Sequence, residues 1–182
     1  MNYTLIILGI ILILVLYVLY RFMVDRQTMV SSKVYLGDSP ADKKFDTLAN
    51  PSSSRYSYNL WIYANELTSG EDNQIFVVEG SVKLQITPGG ELQLLVATGD
   101  GINPFKTITI TPNYPMQRWV CVSISVDNNV VDMYLDGKLV KSQTMTVQKT
   151  NKDSIIKFGG GDIYIAEFER LATPIDPQTA WD

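Results

Sequence analysis

An apolar run at the N-terminus limits the fold of this chain more than any other feature. Positions 1–20 carry no charged side chain, and thirteen of the fifteen residues from Leu5 to Leu19 are Leu, Ile or Val. A helix over residues 3–22 would rise about 30 Å, which matches the hydrocarbon core of a bilayer. The sequence therefore predicts a transmembrane α-helix over residues 1–24, with anchor residues that include Leu5, Ile10, Leu14 and Leu19.

A cleaved signal peptide is the alternative for this run. It would need a basic start, a shorter apolar stretch and small residues at the cleavage site, and none of these is present. Arg21 and Arg26 follow the run, whereas only the α-amino group precedes it. The positive-inside rule then places the C-terminal domain on the cytoplasmic side of a single-pass membrane protein.

Residues 25–55 are predicted to be a linker. Two turn-forming clusters, GDSP at 37–40 and PSSS at 51–54, interrupt this segment, and its Lys residues are matched by Asp residues. This balance differs from the basic cluster that binds anionic lipids. The segment is expected to be a solvated tether with at most one short strand, near residues 30–36.

The composition of the chain excludes several functions. The 182 residues contain no His and one Cys, so catalysis that depends on His, zinc sites that use imidazole, and intrachain disulfides are excluded. The formal net charge is −4, which argues against nucleic acid as the main partner because phosphate binding needs a basic face.

From residue 56 onward, the sequence has the alternation typical of β-strands. In residues 119–126, Val and Ile at even positions alternate with Cys and Ser at odd positions. A second alternation over residues 131–135 leads into Asp136-Gly137, a pair that favours a two-residue hairpin turn. With the returning segment 138–147, this stretch is predicted to be a three-stranded meander.

Similar short runs flank the meander. Together they predict about ten strands and no amphipathic helix, which is typical of an antiparallel β-sandwich or jelly roll over residues 56–182. The additional strands are expected at 56–64, 75–79, 82–86, 92–96, around Ile108 and Ile110, at 155–158 and at 163–170.

Several of these segments carry a resemblance to concanavalin A-like, or laminin G-like, domains. The segments RWVCVSISV at 118–126 and VVDMYLDGKLV at 130–140 resemble the central signature of that family. YSYNLWIY at 56–63 resembles an earlier strand, and IKFGGG at 156–161 with IYIAEFERL at 163–171 resembles the closing strands. The resemblance covers roughly residues 45–182 and implies a fold more than a function.

The architecture also resembles membrane-anchored virion proteins of large DNA viruses, which include minor capsid and inner-membrane components. An N-terminal apolar anchor, a sandwich domain, a single Cys and the absence of His carry this second resemblance. It implies a protein that docks a membrane to a protein shell.

Enzymatic activity is not expected. Some glycosidases of the family use carboxylates in a Glu-x-Asp-x-x-Glu arrangement on one strand, because an acid and a nucleophile must flank the same bond. Glu167 and Glu169 are the nearest candidates, but the middle Asp and the third acid are missing. We expect both side chains to be solvated and the protein to be noncatalytic.

Bound cofactors are not expected, although calcium is considered because many domains of this family bind it. Weak candidates for a ligand set are Asp72, Asp100 and Asp127, each in an Asp/Asn-rich segment. Ordinary turns have the same composition, so no metal site is predicted.

Carbohydrate binding would use aromatic side chains together with amides and carboxylates. Tyr58, Tyr63 and Tyr134 are candidates for contacts to a sugar or a partner, while Trp61 and Trp119 are expected to fill the space between the sheets. Cys121 is expected to be an inert, buried thiol. Trp181 either folds back onto the sandwich, which we favour, or forms an exposed contact for a neighbour.

The sequence thus predicts a noncatalytic, membrane-anchored protein that works by adhesion. The expected partners are a lipid bilayer and a protein layer such as one formed by capsid proteins. The alternative is a membrane-tethered, lectin-like receptor that binds carbohydrate.

Overall fold

The computed structural model describes residues 3–30, 32–46, 48–99, 101 and 104–175, without the side chains of residues 4–5 and 21–29. Within these ranges the chain forms one α-helix, a short 3-10 helix at Leu36–Asp38 and thirteen strands. The helix is α1 (Tyr3–Asp25). The strands are β1 (Arg26–Val30), β2 (Val34–Tyr35), β3 (Lys43–Lys44), β4 (Arg55–Glu66), β5 (Asn73–Val78), β6 (Val82–Ile86), β7 (Leu92–Ala97), β8 (Phe105–Thr111), β9 (Trp119–Asp127), β10 (Val130–Leu135), β11 (Lys138–Thr144), β12 (Ile155–Phe158) and β13 (Asp162–Leu171).

The strands form two antiparallel sheets, which confirms the predicted all-β sandwich. The seven-stranded sheet has the order β1-β13-β4-β9-β10-β11, with β2 paired to β13. The six-stranded sheet has the order β3-β12-β5-β6-β7-β8. The long central strands β4 and β9 alternate between buried apolar residues facing the other sheet and more polar residues on the outer face.

The core lies between the two sheets and contains aliphatic side chains from both. A group of aromatic rings fills its centre: Phe168 lies with its ring centroid 4.9 Å from Phe76 and 6.0 Å from Tyr58. All three side chains are fully buried. Because large rings bury 150–250 Å² each, this cluster contributes much of the apolar burial that holds the sheets together.

The predicted meander is confirmed. β9, β10 and β11 are hydrogen-bonded neighbours in that order. Asp136 and Gly137 in the β10–β11 turn have φ values of 47° and 74°. Positive φ at both central positions is what a type I′ hairpin turn requires, and Gly adopts it without steric cost.

The segment expected to be a solvated tether belongs largely to the sandwich. β1 begins at Arg26, directly after the helix, and pairs with β13. Leu36 and Phe45 are fully buried core residues. The strands β2 and β3 have only two residues each, which is too few to show alternation in the sequence.

Helix α1 carries the predicted anchor residues, and Ile10, Leu14 and Leu19 are exposed; the side chain of Leu5 lies outside the described set. Across the residues that the structure describes, no helix has both the length and the apolarity needed to cross a bilayer. The predicted transmembrane helix is therefore not confirmed.

Candidate carbohydrate-binding surface

Three strands bring aromatic side chains together on the outer face of the seven-stranded sheet. Tyr63 on β4 pairs in register with Trp119 on β9 and with Tyr164 on β13. All three belong to the outward-facing set of their strands, because their neighbours in sequence on β4, β9 and β13 are buried in the core. Directly opposed residues of antiparallel strands lie about 5 Å apart, so their rings form one continuous surface.

These rings and a fourth form the surface that we call the aromatic platform: Tyr35, Tyr63, Trp119 and Tyr164. The Tyr63 ring centroid lies 5.6 Å from that of Trp119 and 6.1 Å from that of Tyr164. Tyr35 on β2 lies 4.8 Å from Tyr164 at an interplanar angle of 34°. Trp119 keeps 37% of its surface exposed, so the platform offers an indole ring to a ligand.

Polar groups border the platform. Asn65, two residues after Tyr63 on the same face of β4, donates a hydrogen bond from Nδ2 to Asp162 Oδ2 at 2.5 Å. The Nζ of Lys33 lies 4.7 Å from the centroid of the Tyr164 ring. Lys33, Tyr63, Asn65, Trp119 and Tyr164 together line a shallow cavity of about 330 Å³, which is near the lower end of the usual size range for small-ligand sites.

The pKa of the Tyr35 hydroxyl is raised above its ordinary value. Burial raises the pKa of its hydroxyl, and the negative charge of Asp162 and the neighbouring Tyr164 and Asp38 raise it further. A phenol with a raised pKa remains neutral at physiological pH and can donate a hydrogen bond. The platform therefore combines ring faces, a phenol donor, an amide, a carboxylate and an ammonium group.

A row of small polar residues continues the outer face beside the platform. Asn59 Oδ1 accepts hydrogen bonds from Ser123 Oγ at 2.7 Å and from Cys121 Sγ at 3.3 Å. Burial raises the pKa of the Cys121 thiol, and Asp136 and Glu167 raise it further against the opposing effect of a hydrogen bond from Ser123. Because the thiolate is the reactive form, this position is unsuited to nucleophilic chemistry.

A second cavity of about 640 Å³ lies farther along the same face, where residues 172–175 cross the sheet. Residues on its walls include Arg55, Asp127, Asp132, Tyr134 and Ile175. Arg55 and Asp127 form an ion pair at 2.9 Å. Two of the charged side chains on its walls therefore neutralise each other. Tyr134, the aromatic residue in its lining, exposes little of its ring to a ligand.

The structure separates the predicted contact residues. Tyr63 belongs to the platform, whereas Tyr58 is fully buried in the core and cannot contact a ligand. Tyr134 faces the second cavity but is only 2% exposed. Trp181 lies outside the described residues.

Two predictions about Trp residues are wrong. Trp61 and Trp119 were expected to fill the space between the sheets, but both lie on the outer face, Trp61 half-buried and Trp119 exposed. The sequence contained the signal for Trp119. It shares the odd positions of β9 with Cys121, Ser123 and Ser125, which form the polar face of the strand.

Two of the weak calcium candidates, Asp72 and Asp127, have partners within the protein. Asp72 accepts a hydrogen bond from Gln85 at 2.7 Å, and Asp127 pairs with Arg55 and accepts from Asn128. Asp100 lies outside the described residues. Among the residues that are described, no group of three or more Asp, Glu, Cys or His side chains is placed to hold a metal ion.

Of the two carboxylates considered for catalysis, Glu167 lies in a β-bulge and Glu169 directly follows it. Glu167 has a positive φ of 50° and is exposed, while Glu169 is half-buried and pairs in register with Asn59. The pairing of β13 with β4 shifts between Ala166 and Glu169. β13 therefore has one extra residue opposite β4 at this point, and the two acids do not follow the regular alternation of a strand.

Comparisons with known proteins bear on the fold. The structure resembles the ligand-binding domain of botulinum neurotoxin serotype D in complex with N-acetylneuraminic acid (TM-score 0.61, 17% identity, 86% of this chain and 41% of that chain). It also resembles domain 4 of AbnA, a GH43 extracellular arabinanase from Geobacillus stearothermophilus, in complex with arabinotriose (TM-score 0.59, 15% identity, 86% of this chain and 98% of that chain).

A third similar structure is the receptor-binding domain of a botulinum neurotoxin C/D mosaic serotype (TM-score 0.58, 14% identity, 70% of this chain). The matched region spans only 35% of that domain's length. At such identities the likeness shows a shared fold. A comparison with curated protein sequences returned no match.

The family profile of Laminin_G_3 matches residues 34–176, which is most of the chain and includes every residue of the aromatic platform. Together with the two-sheet antiparallel sandwich, this match shows that the chain belongs to the concanavalin A-like lectin/glucanases superfamily.

Proposed function

We propose that this protein is a noncatalytic carbohydrate-binding module that holds glycans on the aromatic platform. The observation that carries the proposal is the register of three strands, which places Tyr63, Trp119 and Tyr164 side by side on one open face. Sugar rings have apolar C–H faces and polar rims. A ring surface bordered by an amide and a carboxylate complements both features.

The comparisons support this proposal at the level of the fold. Two of the similar structures contain a bound saccharide, N-acetylneuraminic acid in one and arabinotriose in the other. Function resides in a site rather than in a fold. The argument for this chain therefore depends on its own platform.

The proposal requires neither catalysis nor a metal. Glu167 lies in a bulge of β13, and Asp72 and Asp127 already have partners within the protein. We therefore expect binding that persists in the presence of a chelator and no turnover of the bound glycan.

The test is glycan-array screening of the full chain, followed by calorimetry with the best glycan. Trp119→Ala should weaken binding roughly tenfold or more, because a central aromatic contact contributes about 1.4 kcal/mol or more. Leu139→Ala is the matched control, since Leu139 is an exposed apolar residue on β11, outside the platform. Equal loss of binding in both variants, or full binding by Trp119→Ala, would contradict the proposal.

The apolar helix supports a second candidate function, in which the protein docks a membrane to a protein shell, as a virion membrane or minor capsid component would. The supporting observation is the exposure of the helix side chains. For the large apolar residues from Ile6 to Leu19, the exposed fraction lies between 44% and 68%. In this candidate the helix inserts into a bilayer and the sandwich lies on the cytoplasmic side, bound to capsid proteins.

Carbonate extraction and protease protection of cells that express the full chain test this second candidate. It predicts that the protein stays with the membrane pellet and that the sandwich is protected in intact cells. Release by carbonate would contradict membrane insertion. Digestion of the sandwich from outside the cell would contradict cytoplasmic docking and would favour a lectin-like receptor.

A further inference from the structure

Lys33 gives the aromatic platform a local positive charge. It lies immediately before β2, is exposed, and lines the platform cavity with Tyr63, Asn65 and Trp119. Its Nζ lies over the ring of Tyr164 at 4.7 Å from the centroid. The attraction between an ammonium group and the face of an aromatic ring favours this position of Lys33 over the cavity.

Lys33 forms no ion pair within the described part of the chain, unlike Arg55, Arg118 and Lys157. Asp162, a carboxylate at the border of the platform, accepts a hydrogen bond from Asn65. The positive charge of Lys33 is therefore available to a ligand in the cavity.

Asp162 gives the same site a negative end. It lies two residues before Tyr164 on the same face of β13, which is about 7 Å along the strand. A ligand with a negative charge would be repelled by the end at Asp162 and attracted by the end at Lys33. This polarity favours one orientation of an anionic ligand over the opposite one.

We propose that the aromatic platform selects glycans that carry a negative charge, with the anionic substituent paired to Lys33 and a sugar ring packed on Trp119 and Tyr63. This inference rests on the proposed carbohydrate-binding function and names its substrate class. Lys binds anions as a point charge rather than through a fixed fork of donors. The shared chemistry is therefore a single negative charge on the sugar, supplied by a carboxylate or by a sulfate ester.

Calorimetry with three probes on one backbone tests this inference: lactose, 3′-sialyllactose and 3′-sulfolactose, each titrated into the full chain. We expect the charged probes to bind about tenfold more tightly than lactose, and we expect this preference to shrink when NaCl is raised from about 50 to 300 mM. The relative affinity of the two charged probes tells which anion the site prefers.

The variants separate charge from stacking. In Lys33→Gln, the charged probes and lactose should bind with about equal affinity. In Lys33→Arg, the charged probes should again bind more tightly than lactose. Lys106→Gln is the matched control, because Lys106 is an exposed Lys on β8 of the other sheet, and it should keep the preference.

Three outcomes would overturn the inference. Equal binding of lactose and the charged probes by the unmodified protein would remove the anion preference and leave the carbohydrate-binding function intact. If Lys33→Gln still bound the charged probes more tightly than lactose, a group other than Lys33 would be responsible for the anion preference. Failure of all three probes to bind would overturn the inference, and failure of the whole glycan array would remove the proposed function as well.

Discussion

Ser125 and Ile175 are joined by a reciprocal pair of hydrogen bonds. The Ser125 hydroxyl accepts from the backbone N–H of Ile175 at 3.0 Å and donates to its carbonyl oxygen at 3.1 Å. Both groups are buried. A second hydroxyl, that of Ser57, donates to the carbonyl of Thr173 at 2.8 Å. These bonds hold the segment after β13 across the outer face of the seven-stranded sheet.

Replacement of Ser125 should therefore loosen this segment. We expect Ser125→Ala to lower the free energy of unfolding by about 1–3 kcal/mol, because the substitution leaves the buried N–H and C=O of Ile175 without partners. Urea denaturation measures the stability, and hydrogen exchange should be faster at the amides of Ala172, Thr173 and Ile175. Ser142→Ala, at an exposed position on β11, is the control and should change stability by less than about 0.5 kcal/mol.

Arg170 is a buried cation that joins the loop before β4 to the core. It is 2% exposed and donates to the carbonyl oxygens of Ala49 at 2.7 Å and Asn50 at 3.1 Å. Its guanidinium carbon also lies 5.1 Å from the centroid of the Phe45 ring and 5.5 Å from that of Tyr56.

Lys cannot reproduce this planar arrangement of donors. Arg170→Lys is expected to cost about 1.5–3 kcal/mol, the value of a lost hydrogen bond to a charged group, as measured by urea denaturation. Arg118→Lys is the control. Its ion pair with Asp136 is largely exposed, so a loss of about 1 kcal/mol or less is expected there. Equal losses in the two variants would show that burial of Arg170 does not matter.

Phe168 lies at the centre of the aromatic core and follows the bulge residue Glu167 on β13. Phe168→Ala should cost about 3–5 kcal/mol, because it removes a fully buried ring and leaves a cavity between the sheets. Thermal unfolding measures the effect. Phe105→Ala is the comparison, since Phe105 is 41% exposed, and a much smaller change is expected.

Buried tyrosines should make the fold sensitive to alkali. Burial raises the pKa of Tyr58 and of Tyr114 above the ordinary value of 10.0, and Asp136 raises that of Tyr114 further. The unfolded state then loses protons first as the pH rises. The stability from these neutral phenols is complete below pH 10 and is lost progressively above it.

The measurement is the free energy of unfolding between about pH 8 and pH 12. Tyr114→Phe should flatten the alkaline decline, although it also removes the hydrogen bond from the Tyr114 hydroxyl to the carbonyl of Ile62 at 3.0 Å. A constant free energy of unfolding up to pH 12 would contradict the assignment.

Cys121 should react slowly in the folded protein. Burial raises the pKa of the Cys121 thiol, which disfavours the reactive thiolate, and the thiol donates a hydrogen bond to Asn59. Iodoacetamide labelling should therefore be much slower in the native protein than in urea, followed by mass spectrometry. Equal rates would show that the outer face is open at this position.

Several elements could be predicted from local sequence because their signals are local. β6 and β12 begin and end where alternation and turn residues place them, and the Asp136-Gly137 turn has the predicted geometry. The edge strands β1 and β3 could not be predicted in this way. Their pairing with β13 and β12 depends on residues more than a hundred positions away in the chain.

The candidate site could likewise be predicted only in part from the sequence. Tyr63 was predicted as a contact residue, but Trp119 was assigned to the core, and Tyr164, Asn65 and Lys33 were not considered. A tryptophan in a sandwich strand is often buried, and that general tendency outweighed the position of Trp119 on the polar face of its own strand.

The sequence by itself determined which face of each long strand is buried, because side chains alternate with a period of two and the aliphatic residues of β4 and β9 follow that period. Only the tertiary structure decided that Lys33, Tyr63, Trp119 and Tyr164 share one surface. These residues come from four separate parts of the chain, and they meet because β4 lies between β9 and β13 while β2 adds to the edge of β13. Such non-local pairing is set by the packing of the whole sandwich, which no short stretch of sequence encodes.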